Sequence, residues 1–184
     1  MSPHKAVCRR RAPGRPGPCS FEKGLAMSLF DIQKVTVGPE NLTARVRLAN
    51  DAPVKTSEDL ESTNRVYQLM PQIVDHACVS DQGDTFRDAL GDTELAHLLE
   101  HVTVELMARM GAEDVSAGNT ADTDEDRVWE ITLSCPNDVL VLGALSSAAW
   151  IMEWAYSGGE GPEPDVDHTV AGLRELVKSL PKAE

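Results

Sequence analysis

The chain has 184 residues, 41% of them hydrophobic, which suffices for one core and is too short for two independent domains. Its net charge of −13 is uneven: residues 1–26 hold Lys5, Arg9, Arg10, Arg11, Arg15 and Lys23 against Glu22, a local +5 that leaves −18 on the remainder. So acidic a body repels nucleic acid and anionic lipid surfaces, and draws basic or zwitterionic peptides toward any cleft.

Cys8, Cys19, Cys78 and Cys135 show no CxxC spacing, so neither a disulfide framework nor a zinc ribbon is expected, and a reducing compartment fits. No run approaches about 18 apolar residues, and the basic start lacks the apolar stretch of a secretory signal. The expectation is a soluble, cytoplasmic protein with no membrane partner.

In chain order, residues 1–26 combine prolines, glycines and arginines that cannot offset their ordering entropy, so a disordered basic arm is expected. Met27 then opens a more ordinary beginning. Alternation over Asp31–Val37 and Leu42–Leu48, separated by Gly38, Pro39, Glu40 and Asn41, predicts a β-hairpin. Leu60, Val66, Leu69, Met70 and Ile73 give helical spacing to Ser57–His76, with Pro71 as a kink or stop. Cys78–Gly91 reads as a loop with a helical turn at Thr85–Leu90.

Asp92 or Thr93 caps the next helix and Gly111 closes it. Val115–Thr120 is a short strand, and Arg127–Cys135 a better one, with Trp129, Ile131 and Leu133 on one face and Glu130, Thr132 and Ser134 on the other. Asn137 or Asp138 caps an apolar helix reaching Tyr156. A linker at 157–164 leads to an amphipathic helix, Val166–Leu180. The fold class is therefore α+β: a small, mostly antiparallel sheet of the hairpin and two later strands, covered by helices, in the order β-β-α-α-β-β-α-α, as a single domain over 27–184.

The chemistry sits in His97-Leu98-Leu99-Glu100-His101. Imidazoles four residues apart share one helical face and can reach one ion. In this inverted zinc-peptidase pattern the glutamate before the second histidine is the general base, so Glu100 takes the catalytic role and zinc is the expected cofactor. Manganese or iron also suits two histidines and a carboxylate. Leu95, Leu98, Leu99, Val102, Leu106 and Met110 form an apolar stripe, with the histidines, Glu94 and Glu105 on an opposite, solvated side. A third ligand is required. Glu130 is the first choice; Glu105 lies too far along the helix axis, and His76 with Cys78 is the other option.

The same pieces, in order, resemble the N-terminal domain of cyanophycin synthetases. That family's Leu-Pro-x-Leu-x-x-His-x-Cys stretch reads here Met70-Pro71-Gln72-Ile73-Val74-Asp75-His76-Ala77-Cys78. Its glycine-phenylalanine loop is similar to Gly83-Asp84-Thr85-Phe86 through Gly91-Asp92-Thr93, and its histidine helix to Ala96 through Leu106. Its Gly-x-Gly-Lys/Arg-Thr-Arg stretch corresponds to Ala117-Gly118-Asn119-Thr120-Ala121, and its aromatic-Glu-aromatic strand to Trp129-Glu130-Ile131. The resemblance spans about 60–155 and implies a metallopeptidase-like site, in some members able to cut an Asp-Arg polymer, with Glu100 catalytic and Glu130 the third ligand by position. Asn119 and Ala121 stand where the family is basic, and the ATP-grasp and ligase-like parts of the synthetase have no counterpart in these residues.

The reading is thus a zinc-dependent hydrolase of a peptide or isopeptide bond: metal on His97, His101 and Glu130, water activation by Glu100, and substrate or supporting roles for His76, Cys78, Glu105, Asn119 and Thr120. The alternative is a non-catalytic binding or assembly domain on the same scaffold; a structural zinc site, a third reading, requires four closed ligands.

Overall fold

A computed structural model describes residues 28–80, 83–111 and 118–179, with the side chains of 79 and 80 left aside. The arm at 1–26, the start of the strand expected from Val115 and the last residue of the helix expected to Leu180 lie outside the described residues. The elements are β1 (Phe30–Val37), β2 (Asn41–Leu48), α1 (Leu60–Leu69), β3 (Ala77–Ser80), β4 (Gly83–Thr85), α2 (Phe86–Ala89), α3 (Leu95–Arg109), β5 (Gly118–Asp122), β6 (Val128–Ser134), α4 (Asp138–Tyr156) and α5 (Val166–Ser179). The mixed α+β class holds. The expected element order gains a small antiparallel β3–β4 pair within the expected loop, and the helical turn expected at Thr85–Leu90 is α2.

The main sheet is antiparallel throughout, in the order β1-β2-β6-β5. Leu42, Ala44, Val46 and Leu48 are fully buried on β2, alternating with more exposed residues, and Trp129, Ile131 and Leu133 of β6 share their face. The helices cover that inner face. The outer face carries Thr43 against Thr132, and Arg45 against Glu130. At the β1 edge a register irregularity between Ile32 and Lys34 interrupts the pairing with β2, a device that also discourages edge-to-edge association.

Pro71 does stop the helix before it. α1 ends at Leu69, Met70 adopts φ −140°, and Pro71 opens a 3-10 turn over 71–75 that delivers His76 and β3. Asn137 caps α4 by accepting the Leu140 N–H at 3.0 Å.

Two expectations are corrected, one by composition and one by packing. α4 is long and apolar enough, by length and composition, to cross a bilayer, although no such run was expected. Its Val141, Leu145, Ile151 and Met152 are buried, and it packs against α1, α3 and α5. The polar side of α3 is largely covered: Glu100, His101 and Glu105 are buried with its leucines, and His97 is half-buried. The sheet and α4 cover the apolar stripe, and the 71–75 turn, β3, α2 and β5 close over the polar one.

Candidate metal centre

α3 begins where Leu95 N–H bonds Val54 C=O and Thr56 Oγ1 accepts the Thr93 N–H. Those bonds fix Thr93 one turn before His97, and its Oγ1 lies 2.8 Å from His97 Nδ1. The opposite nitrogen, Nε2, faces two other donors: His101 Nε2 at 3.2 Å and Cys78 Sγ at 3.5 Å. The donor atoms of Cys78, His97 and His101 all lie within 4.8 Å of one another.

The His97–His101 and Cys78–His97 separations match those around a single ion. Tetrahedral zinc, with bonds of about 2.0–2.1 Å to nitrogen and about 2.3 Å to sulfur, sets nitrogens about 3.3 Å apart and nitrogen about 3.6 Å from sulfur. Among the described residues the cluster offers three donors, so a tetrahedral ion there would keep a fourth position for another ligand. Phe86, fully buried, stacks on the His101 ring at 3.8 Å between centroids and meets His97 edge-on at 5.3 Å. Burial pushes His101 down to about 3, with His97 and His76 adding to the effect, and burial lowers His97 too. Both rings are therefore neutral near pH 7, the form that ligates.

Glu100 follows a different route. One helical step from His101 its side chain meets β5, where Thr120 Oγ1 donates to Oε2 at 2.6 Å. Burial pushes the carboxyl up to about 7, against the opposing effects of Thr120 and nearby His76. Gly118 lets the strand approach this closely: a Cβ there would lie 2.5 Å from Glu100 Cγ and Oε1. Cys78, both histidines, Glu100 and Thr120 border one cleft of about 420 Å³, whose rim includes Glu94, Asn119 and Asp122.

Glu130 is not brought to the histidines. Strand alternation sends it to the outer face of β6, where it is exposed and its Oε1 lies 3.6 Å from Arg45 Nη1, while its neighbours Trp129 and Ile131 point inward. The donor that geometry supplies is Cys78. Glu105, further along α3, accepts from Arg109 Nε at 2.7 Å and sits 3.0 Å from His76 Nε2, whose other nitrogen faces His101 Nδ1 at 3.3 Å. Burial alone would raise Glu105; the bonds from His76 and Arg109 outweigh it and hold the carboxyl low.

Phe86 and Gly118 had no assigned role in the sequence reading, and Asp92 or Thr93 was expected as the helix cap, a place that Glu94 takes without a side-chain bond, leaving Thr93 Oγ1 for His97. Thr93 was detectable, because it stands one helical turn before His97. Gly118 and Phe86 lie inside motifs, but only their neighbours in space explain them.

A search of curated proteins finds no match. The profile of the cyanophycin synthase-like N-terminal domain matches residues 43–155, from within β2 to one residue short of the end of α4. With more than half its length under that profile, and with the matched span holding the Cys78, His97 and His101 cluster, the chain belongs to the cyanophycin synthase-like N-terminal domain family.

Proposed function

We propose that this protein is a zinc-dependent hydrolase of peptide or isopeptide bonds, working in the cleft between α3, β3 and β5. The observation that carries the reading is the meeting of three metal-ligating side chains beside a buried, hydrogen-bonded glutamate in one open cleft. A divalent ion there supplies acidified water and a polarised carbonyl.

The chain's own groups do the rest. Cys78, His97 and His101 hold the ion. Glu100 receives the proton of the attacking water at its carboxylate, and Thr120 Oγ1 fixes the orientation of Oε2. Its raised pKa suits a base that must accept a proton near neutrality and return it to a leaving amine.

The cleft's charge narrows the substrate. Glu94 and Asp122 line it, and among the described residues lining it there is no lysine or arginine. That supports peptides bearing a cationic group near the scissile bond, and Asn119 and Ala121 offer no basic group to an acidic one.

The test is Glu100→Gln. Zinc-loaded wild type is incubated with an Asp-Arg polymer and with short basic peptides, and products are read by mass spectrometry. The variant should keep stoichiometric zinc and lose turnover. Wild type that takes up no zinc, or a variant that cleaves as fast as wild type, would sink the proposal; zinc without turnover in either favours the binding-domain alternative.

A further inference from the structure

Behind His101 runs a chain of polar side chains that the hydrolytic step does not touch. Glu105 Oε2 is 3.0 Å from His76 Nε2, and His76 Nδ1 is 3.3 Å from His101 Nδ1. The far end is anchored: Arg109 donates through Nε to Glu105 Oε1 and through Nη2 to Gln72 Oε1, both at 2.7 Å. Glu105 is 5% exposed and His76 partly buried, while Gln72 at the far end faces solvent.

We propose that Glu105, acting through His76, sets the tautomer of His101 so that its Nε2 presents a lone pair to the ion, making Glu105 and His76 positioning residues of the metal centre. The proposal rests on the metal-site reading of Cys78, His97 and His101. Its logic is one of donors and acceptors. An ionised carboxylate only accepts, so the His76 nitrogen facing it, Nε2, is the one that carries the proton. His76 Nδ1 is then an acceptor, and the nitrogen facing it, His101 Nδ1, is the donor. A neutral ring has one N–H, so His101 Nε2 is bare, on the side where His97 Nε2 stands 3.2 Å away. Outer hydrogen bonds of this kind orient metal-bound imidazoles and raise their basicity. Here the carboxylate acts at one remove, through a second ring. Thr93, which can accept at Oγ1 from His97 Nδ1, serves the other histidine in the same way.

Glu105→Gln makes the discriminating variant, because an amide can donate as well as accept and no longer dictates the sign of the chain. His76→Phe keeps a ring beside His101 and removes both bonds. Long-range proton–nitrogen NMR of the metal-free wild type should show His101 protonated on Nδ1, and Glu105→Gln should show a mixed or inverted tautomer. Chelator competition should give zinc affinity lower by about 10- to 100-fold in either variant. The double variant should lose no more than the worse single one, since the two act in series. A merely structural role would lower thermal stability while leaving tautomer and affinity alone. An Nε2-protonated His101 in wild type, or a folded Glu105→Gln with unchanged tautomer and affinity, overturns the proposal. Wild type that binds no zinc while showing the Nδ1 tautomer would refute the hydrolase reading and the metal role, leaving only the hydrogen-bond chain. Should Glu105→Gln fail to fold, His76→Phe carries the affinity test.

Discussion

Gly118 and Glu100 pack so closely that the glycine's missing side chain is part of the site: a Cβ would sit 2.5 Å from the glutamate's Cγ and Oε1. Gly118→Ala must therefore push the Glu100 carboxylate off Thr120. The strain should cost about 1–3 kcal/mol. Cys78, His97 and His101 are untouched, so zinc content should stay at wild-type level while turnover falls by about 100-fold, as misplacement of a catalytic group on the 1 Å scale does. Zinc analysis beside initial rates checks this; a variant with wild-type rates would show that Glu100 is not the base.

Glu100 also leaves a signature in stability. Burial pushes its carboxyl up to about 7 in the folded, metal-free protein, against 4.5 for an ordinary glutamate. The folded state holds the extra proton between those values, so the carboxyl lowers stability progressively as pH rises from about 4.5 to about 7, and by a constant amount above. An amide carries no such cost. With chelator present, Glu100→Gln should exceed wild type by about 3 kcal/mol at pH 8 and match it near pH 4, measured by urea unfolding. A pH-independent difference would mean that the folded protein keeps the carboxyl hydrated.

Cys78 and Glu130 separate the geometry from the motif-based choice of third ligand. Cys78→Ala removes a donor 3.5 Å from His97 Nε2 and should weaken zinc binding by at least about 100-fold. Glu130→Ala removes an exposed side chain beside Arg45 and should change affinity less than about twofold, with a stability change within about 0.5 kcal/mol. Chelator competition on both variants decides between them.

Phe86 joins core and site. It is fully buried and stacked on His101 at 3.8 Å between centroids. Phe86→Ala should cost about 3–5 kcal/mol, lowering Tm by about 10 °C, and should loosen zinc binding because the His101 ring loses its flat support. Phe86→Leu should recover most of the stability and less of the affinity. Calorimetry and chelator titration follow the two effects separately.

Elements with strong local periodicity were legible without coordinates. The hairpin lies within one residue of its expected bounds, α4 is capped by Asn137, one of the two expected caps, and ends at the expected Tyr156, and the alternation expected over 127–135 correctly divided Trp129, Ile131 and Leu133 from Glu130. That alternation already spoke against Glu130 as a ligand, since the inward face was the one meeting the helices. β3 and β4 span only four and three residues, too short for a period to show. The solvated face expected on α3 failed because a helical wheel counts polarity, and His101, Glu100 and Glu105 satisfy theirs with one another's neighbours: His76, Thr120 and Arg109.

By itself the order of residues determined that His97 and His101 share a helical face with Glu100 beside them, because spacing along one helix is a local property. Only the tertiary structure decided the third donor. Cys78 reaches the histidines because the 71–75 turn and β3 fold back over α3, bringing together residues 19 apart in the chain. The same folding decided the burial that makes the rings neutral and Glu100 basic, since desolvation depends on what covers a side chain and not on what precedes it.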